Sequence, residues 1–204
     1  MKNENLTTAM TNSILDDNIG KVNSDIINGL LSKGLQSIIN VELPIIGCFA
    51  QISTSISDTL FMKKCLEFLK GINDIPKKDR YRLIGDISVR NQSDAGEIIL
   101  SLINKLDHPQ KIQLLCKLFK AAVYNDITVD DFIRLSFMVE KCPYIDLLNL
   151  KGYIHPNYIP GCTETLLASG FIEKSIFDFG DAEGNSNDKY SLTPMGQMLL
   201  KYIE

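Results

Sequence analysis

Residues able to do chemistry are few in this chain of 204 residues. Only two histidines occur, His108 and His155, and neither has a Cys, Asp or Glu at metal-ligand spacing. His108 precedes Pro109 at a helix start and reads as a local cap. A serine triad would need one of these imidazoles beside a nucleophile and an acid, and no GxSxG motif signals one. Five cysteines, Cys48, Cys65, Cys116, Cys142 and Cys162, are scattered without a CxxC pair. Cys65, Cys116 and Cys142 fall on or beside apolar stripes, so they read as buried reduced thiols in a reducing compartment. Neither GxGxxG nor GxxxxGK[ST] occurs, which removes the usual backbone cradles for nucleotide phosphates. Asp181, Glu183, Asn185 and Asn187 alternate like calcium-loop ligands. Ser186 stands where the turn glycine belongs, however, and Leu192 occupies the closing position, so this is a solvated loop. The expectation is a protein that is not an enzyme and holds no cofactor or metal.

Two stretches suit binding instead. Lys77, Lys78, Arg80, Tyr81 and Arg82 form the only basic cluster. Tyr81 offers a stacking face among cations, which suits single-stranded nucleic acid or a partner protein. Positive charge near a helix start also opposes the macrodipole, partly offset by Asp74 and Asp79. The plainer reading is a solvated helix face. The second stretch, residues 21–62, is poor in charge, and Leu43, Ile45, Ile46 and Phe49 mark its most apolar piece. With Gly29, Gly34 and Gly47 it suits close helix packing, or conditional entry into a bilayer. Gln51, Ser53, Ser55, Ser57 and Asp58 make permanent insertion costly, and a hairpin buried in the helical domain is the plainer reading. No run of about 18 apolar residues is present to span a membrane.

Charge narrows the partner. The net −4 is unevenly spread: Lys63–Arg90 carries eight basic and four acidic residues, whereas Asn125–Glu204 carries six basic and twelve acidic ones. Duplex DNA binding draws its affinity from neutralised phosphates, so the acidic C-terminal part disfavours it. A protein partner or self-association is expected.

The elements that would position these residues follow from periodicity. Phe61, Cys65, Phe68, Leu69 and Ile72 keep one helical face apolar. So do Ala95, Ile98, Ile99, Leu102, Ile103 and Leu106, and again Ile112, Leu115, Cys116, Phe119, Ala122 and Val123. Ser93 can cap the second of these helices, and Pro76 and Pro109 suit first-turn positions. Thr128 and Asp131 have capping-box spacing. Pro44 and Gly47 break the apolar segment into two expected helices, about 22–40 and 45–60. Near the end, a helix closing at Gly170 precedes a strand over Phe171–Phe179, a polar loop, and a strand over Lys189–Leu192. Thr193 and Pro194 then open a last helix carrying Met195, Met198, Leu199, Tyr202 and Ile203. That order is the order of a winged-helix tail. The expected fold is mainly α, a multi-helix domain with a small winged-helix-like α+β module at the C-terminus. The expected divisions are a flexible tail over 1–20, the charge-poor helical segment over 21–62, a helical domain over 63–150, and the winged module over 151–204.

Three sequence features carry a family resemblance. The Val41-Glu-Leu-Pro-Ile-Ile-Gly47 turn is followed by Lys63-Lys64-Cys-Leu-Glu-Phe-Leu69 and a helical middle. The end reads Leu166-Leu167-Ala-Ser-Gly170-Phe171-Ile172, then Tyr190-Ser-Leu192-Thr193-Pro-Met-Gly196. This layout resembles bacterial proteins of the abortive-infection alpha type, in which a helical domain precedes such a tail. The resemblance implies a bacterial, cytoplasmic protein with an antiviral-defence role and no catalytic residues to carry over.

Overall fold

A computed structural model describes residues 5–34, 41–52, 55–155, 162–174 and 190–203. The protein is mainly helical, with a small two-stranded antiparallel sheet. The chain divides into two compact units, Met1–Phe132 and Ile133–Glu204. Among the described residues, no helix is long and apolar enough to cross a membrane.

The first unit is built from α1 (Leu6–Ile14), α2 (Ser24–Lys33), α3 (Pro44–Ile52), α4 (Ile56–Gly71), α5 (Lys77–Asn91), α6 (Ala95–Lys105) and α7 (Pro109–Val123). Local chemistry sets the boundaries. Ser55 and Asp58 close a reciprocal capping box at the start of α4, with Asp58 N–H donating to Ser55 Oγ at 3.1 Å and Ser55 N–H to Asp58 Oδ2 at 3.2 Å. His108 Nδ1 accepts from Gln110 N–H at 3.2 Å, and Pro109 takes the first position of α7. Asp94, rather than Ser93, caps α6; the Ser93 hydroxyl donates instead to Glu97 Oε2 at 2.7 Å.

The apolar stripes converge as their period requires. Phe68, Phe119 and Phe132 are fully buried, and their rings meet edge to face, with centroids 5.6 and 5.9 Å apart. Each such pair adds about 1 kcal/mol beyond the area it buries. Close approach of α4 to α7 is possible because residue 71 is glycine: a Cβ there would strike Cys116 Sγ.

The N-terminus differs from the expected loose tail. Residues 6–14 form α1, which packs on α3 and α6 and buries Ala9, Met10, Ser13 and Ile14. Polar side chains of α1 are spent on specific bonds. Ser13 Oγ accepts from Ile45 N–H at 2.9 Å, and Thr11 Oγ1 donates to Asp94 Oδ1 at 2.6 Å while accepting from Gly96 N–H at 3.0 Å. Gly96 lets the helices touch, since a Cβ there would meet the Thr7 carbonyl oxygen. The charge-poor stretch is likewise no separate segment. It contributes α2, α3 and the first turns of α4 to the first unit; the expected 22–40 helix ends at Lys33, and the expected 45–60 helix is divided between α3, which ends at Ile52, and α4, which begins at Ile56. Gly34 follows at φ +64°, a conformation that stops a helix at little cost only in glycine.

Lys111 on α7 is only 1% exposed, yet its Nζ reaches Asp107 Oδ1 at 2.8 Å. The hydrogen bond from Lys111 holds the Asp107 carboxyl below the usual range, against a smaller upward push from burial. A depressed folded-state pKa stabilises above the ordinary carboxylate value and ceases to do so as pH falls through the depressed one. Asp107 is two-thirds exposed, so the gain stays below about 1 kcal/mol. In urea unfolding, Asp107→Asn should cost that much at pH 7, and progressively less as the pH falls through the depressed carboxyl range.

In the second unit, α8 (Val129–Lys141) runs in from the first and is capped at its start by the expected Thr128–Asp131 box. It is followed by α9 (Tyr144–Leu148), a 3-10 helix over Asn149–Ile154, and α10 (Thr163–Ala168). Strands β1 (Ile172–Lys174) and β2 (Tyr190–Leu192) pair antiparallel with Ile172 opposite Leu192, and α11 (Pro194–Leu200) closes the unit. Gly170 turns the chain out of α10 at φ +78°, as its position predicts. Thr193 Oγ1 accepts from Gly196 N–H at 3.1 Å to cap α11. Leu147, Leu150, Leu166, Phe171, Ile172, Leu199 and Ile203 form this unit's core. The expected module border at 150/151 therefore lies inside one compact unit. The expected continuation of the strand beyond Lys174, the expected acidic loop with Asp181, Glu183, Asn185 and Asn187, and Lys189 lie outside the described residues.

Candidate functional site

The basic cluster lies on α5. Pro76 opens this helix with φ fixed near the helical value and no side-chain cap, and Asp79 lies in its first turn. Arg80, Leu83, Ile84 and Ile87 face inward and are buried. Spacing therefore sends one member of the cluster into the protein. Arg80 is 3% exposed; its Nη1 donates to the Ile14 carbonyl at 2.6 Å and to the Asp16 carbonyl at 3.4 Å. It fastens the C-terminal end of α1, where backbone carbonyls lack helical partners. Burial pulls its guanidinium below the usual range, opposed by the Asp17 and Asp16 carboxylates.

Two further cations are bound to their own chain. Lys77 Nζ pairs with Asp17 Oδ2 at 2.8 Å, and Arg82 donates to the Val123 carbonyl at the end of α7. Lys78 and Tyr81 remain outward, Tyr81 with 68% of its surface exposed. The five residues that adjoin in sequence thus split between anchoring and display, and one cationic groove does not form from them. Sequence spacing missed Val89, which is 79% exposed on the outer face of α5. Its signal was available: Tyr81, Gly85 and Val89 recur every fourth residue, and the inward stripe runs through Leu83, Ile84 and Ile87.

Leu43, Ile45, Ile46 and Phe49 are all buried, with Phe49 edge to face against Phe61 at 5.7 Å. A cleft of about 410 Å³ opens beside Phe49, walled also by Leu6, Phe61 and Leu100. Its acid, Asp58, serves the α4 cap.

Nucleophile chemistry finds little support. Cys48, Cys65, Cys116 and Cys142 are buried and outside any disulfide, and Cys162 is half-buried. Burial raises the Cys65 thiol well above its ordinary value and pushes Cys116 up to about 12, so neither is a thiolate at neutral pH. Burial and Asp146 also raise Cys162. Under native conditions at pH 8, iodoacetamide followed by mass spectrometry should label Cys162 alone, and slowly; unfolding should expose all five thiols. His108 is spent on its cap, and His155 is exposed. Among the described residues no group of three His, Cys, Asp or Glu side chains is placed to hold a metal ion.

Fold and site together define a mainly helical protein with a small antiparallel sheet, which exposes Tyr81 and Val89 on the outer face of α5 and Ile56 and Leu60 on α4. No family model, curated protein sequence or solved structure matches the chain.

Proposed function

We propose that this chain is a non-enzymatic protein-interaction protein acting in bacterial anti-phage defence or its regulation. The observation that carries the reading is the outer face of α5, where Tyr81 and Val89 stand in solvent while neighbouring cations are held by the chain's own carbonyl and carboxylate groups. Exposed apolar side chains aligned on one helix face offer a surface on which a partner can dock. Ile145 and Leu148 on α9 and Leu167 on α10 add exposed apolar surface in the second unit. There the order α10, β1, β2, α11 supports a winged-helix reading of the module. Such modules dock proteins as well as DNA, and net acidity over Asn125–Glu204 favours a protein partner.

The test pairs analytical ultracentrifugation of the purified chain with capture of partners from native lysate of the source cell. Self-association or one stoichiometric partner is expected, and absence of both overturns the reading. The defence role is tested by phage plating on cells expressing the chain. Reduced plaque number, or altered protection by a neighbouring defence system, is expected.

Nucleic-acid binding through Lys78 and Tyr81 is the weaker alternative, because Arg80 is buried and Lys77 is paired. Membrane action through residues 21–62 requires Leu43, Ile45, Ile46 and Phe49 to leave the core of the first unit. Liposome leakage by the full chain would be its signature.

A further inference from the structure

The outer face of α5 has a composition that a second copy of itself would complement. Tyr81, Gly85 and Val89 follow one another every four residues, a line about 12 Å long at 1.5 Å per residue. Gly85 sits at its middle and is exposed. A Cβ there would meet nothing within 4 Å, so the chain's own packing gives no reason for glycine. Glycine inside an exposed helix is costly relative to alanine, and its usual compensation is close approach of another backbone. Arg82 and Asp86 lie one turn apart along one flank of the same line and carry opposite charge.

We propose that two copies of this chain dimerise through α5, the helices crossing antiparallel at Gly85 about a two-fold axis. The inference rests on the protein-interaction reading and names the partner. A two-fold axis at Gly85 sets Tyr81 of one copy against Val89 of the partner subunit, aromatic face on branched aliphatic. It also runs the Arg82-to-Asp86 flank of one copy opposite the same flank reversed, so each Arg82, which gives one N–H to the Val123 carbonyl of its own chain and keeps others, nears the partner's carboxylate. Such reciprocity is the signature of an isologous interface, in which one patch serves both sides. A nucleic-acid backbone would meet Asp86 and Asp79 on the same helix and gains no comparable match. Tyr124, 56% exposed and next to the Val123 carbonyl that holds Arg82, adds aromatic surface beside the line. One helix face is smaller than the roughly 800 Å² per partner of a standard stable interface, so the dimer is weak and reversible.

Sedimentation velocity of the full chain from low micromolar to several hundred micromolar should show a monomer–dimer equilibrium. Val89→Glu should weaken it at least about tenfold, because a carboxylate would be buried against Tyr81. Asp86→Arg should weaken it as well, by setting cations against cations across the axis. Both sites are exposed, and unchanged far-ultraviolet circular dichroism verifies the fold. A covalent arm fixes the geometry. Gly85→Cys should form an interchain disulfide under mild oxidation, since crossing at residue 85 brings the two cysteines within bonding range. Lys78→Cys should not, because antiparallel helices would hold those positions about 20 Å apart. A dimer indifferent to Val89→Glu, or cross-linking of both cysteine variants alike, overturns this interface while leaving the protein-interaction reading intact. A chain that stays monomeric throughout overturns the dimer, and the broader reading then depends on capture of a foreign partner.

Discussion

Phe119→Ala should lower the unfolding free energy by about 4 kcal/mol, the largest effect expected of any single substitution here. Phe119 is fully buried on α7 and is the middle ring of three, edge to face with Phe68 of α4 and Phe132 of α8. Removing it deletes both ring contacts and leaves a void whose walls are three helices already held by other contacts. The site cannot collapse to fill it, which places the cost toward the upper part of the range for such truncations. Phe119→Leu retains most of the volume and should cost about 1–2 kcal/mol. Urea unfolding at pH 7 followed by circular dichroism measures both. If Phe119→Ala costs no more than Phe119→Leu, the packing of these rings does not hold the first unit together.

The second large effect lies at Arg80. Arg80→Ala should destabilise the chain by about 3 kcal/mol, because it strips charged donors from the Ile14 and Asp16 carbonyls and opens a cavity under α5. Arg80→Lys should recover only part of this, since an ammonium cannot reach two carbonyls with the fork of a guanidinium. Although burial depresses its pKa, arginine stays protonated across the physiological range, so the loss should be the same at pH 6 and pH 8. Hydrogen exchange separates local from global consequences. Amides near Ile14 should lose protection in Arg80→Ala more than amides in the middle of α7. Uniform loss everywhere would instead mean that α1 has no separate hold through this residue.

These two residues show how far sequence reading reached. Phe119 was legible. It falls on a stripe with Ile112, Leu115, Cys116 and Val123 whose period of 3.6 admits only a helix, and burial of that stripe follows from its apolarity. Helix ends were legible for a similar reason. The caps at His108–Pro109, Thr128–Asp131 and Thr193–Pro194 are bonds within a few residues, so adjacent side chains suffice to specify them. Arg80 was not legible. Its neighbours Lys77, Lys78 and Arg82 make it look like one charge of a solvated face, and the carbonyls it satisfies lie 64 and 66 residues away. For α1 the difficulty is the same. Leu6–Ile14 contains three threonines, a serine and an asparagine, a composition that suits a loose terminus. Its burial depends on hydroxyl bonds to α3 and α6, formed only when those helices are already beside it.

From the sequence alone, then, follow the mainly helical class, several helix starts, the burial of the cysteines at 65, 116 and 142, and the absence of familiar catalytic motifs. These depend on period, local capping and residue inventory, which need no knowledge of distant neighbours. Tertiary structure decided where the candidate surface lies. It turned Arg80 inward, tied Lys77 and Arg82 to partners elsewhere in the first unit, buried Leu43, Ile45, Ile46 and Phe49, and left Tyr81 and Val89 in solvent. Which face of an amphipathic helix is covered, and which charge is neutralised, depends on groups brought together across dozens of residues, and no local pattern encodes that meeting.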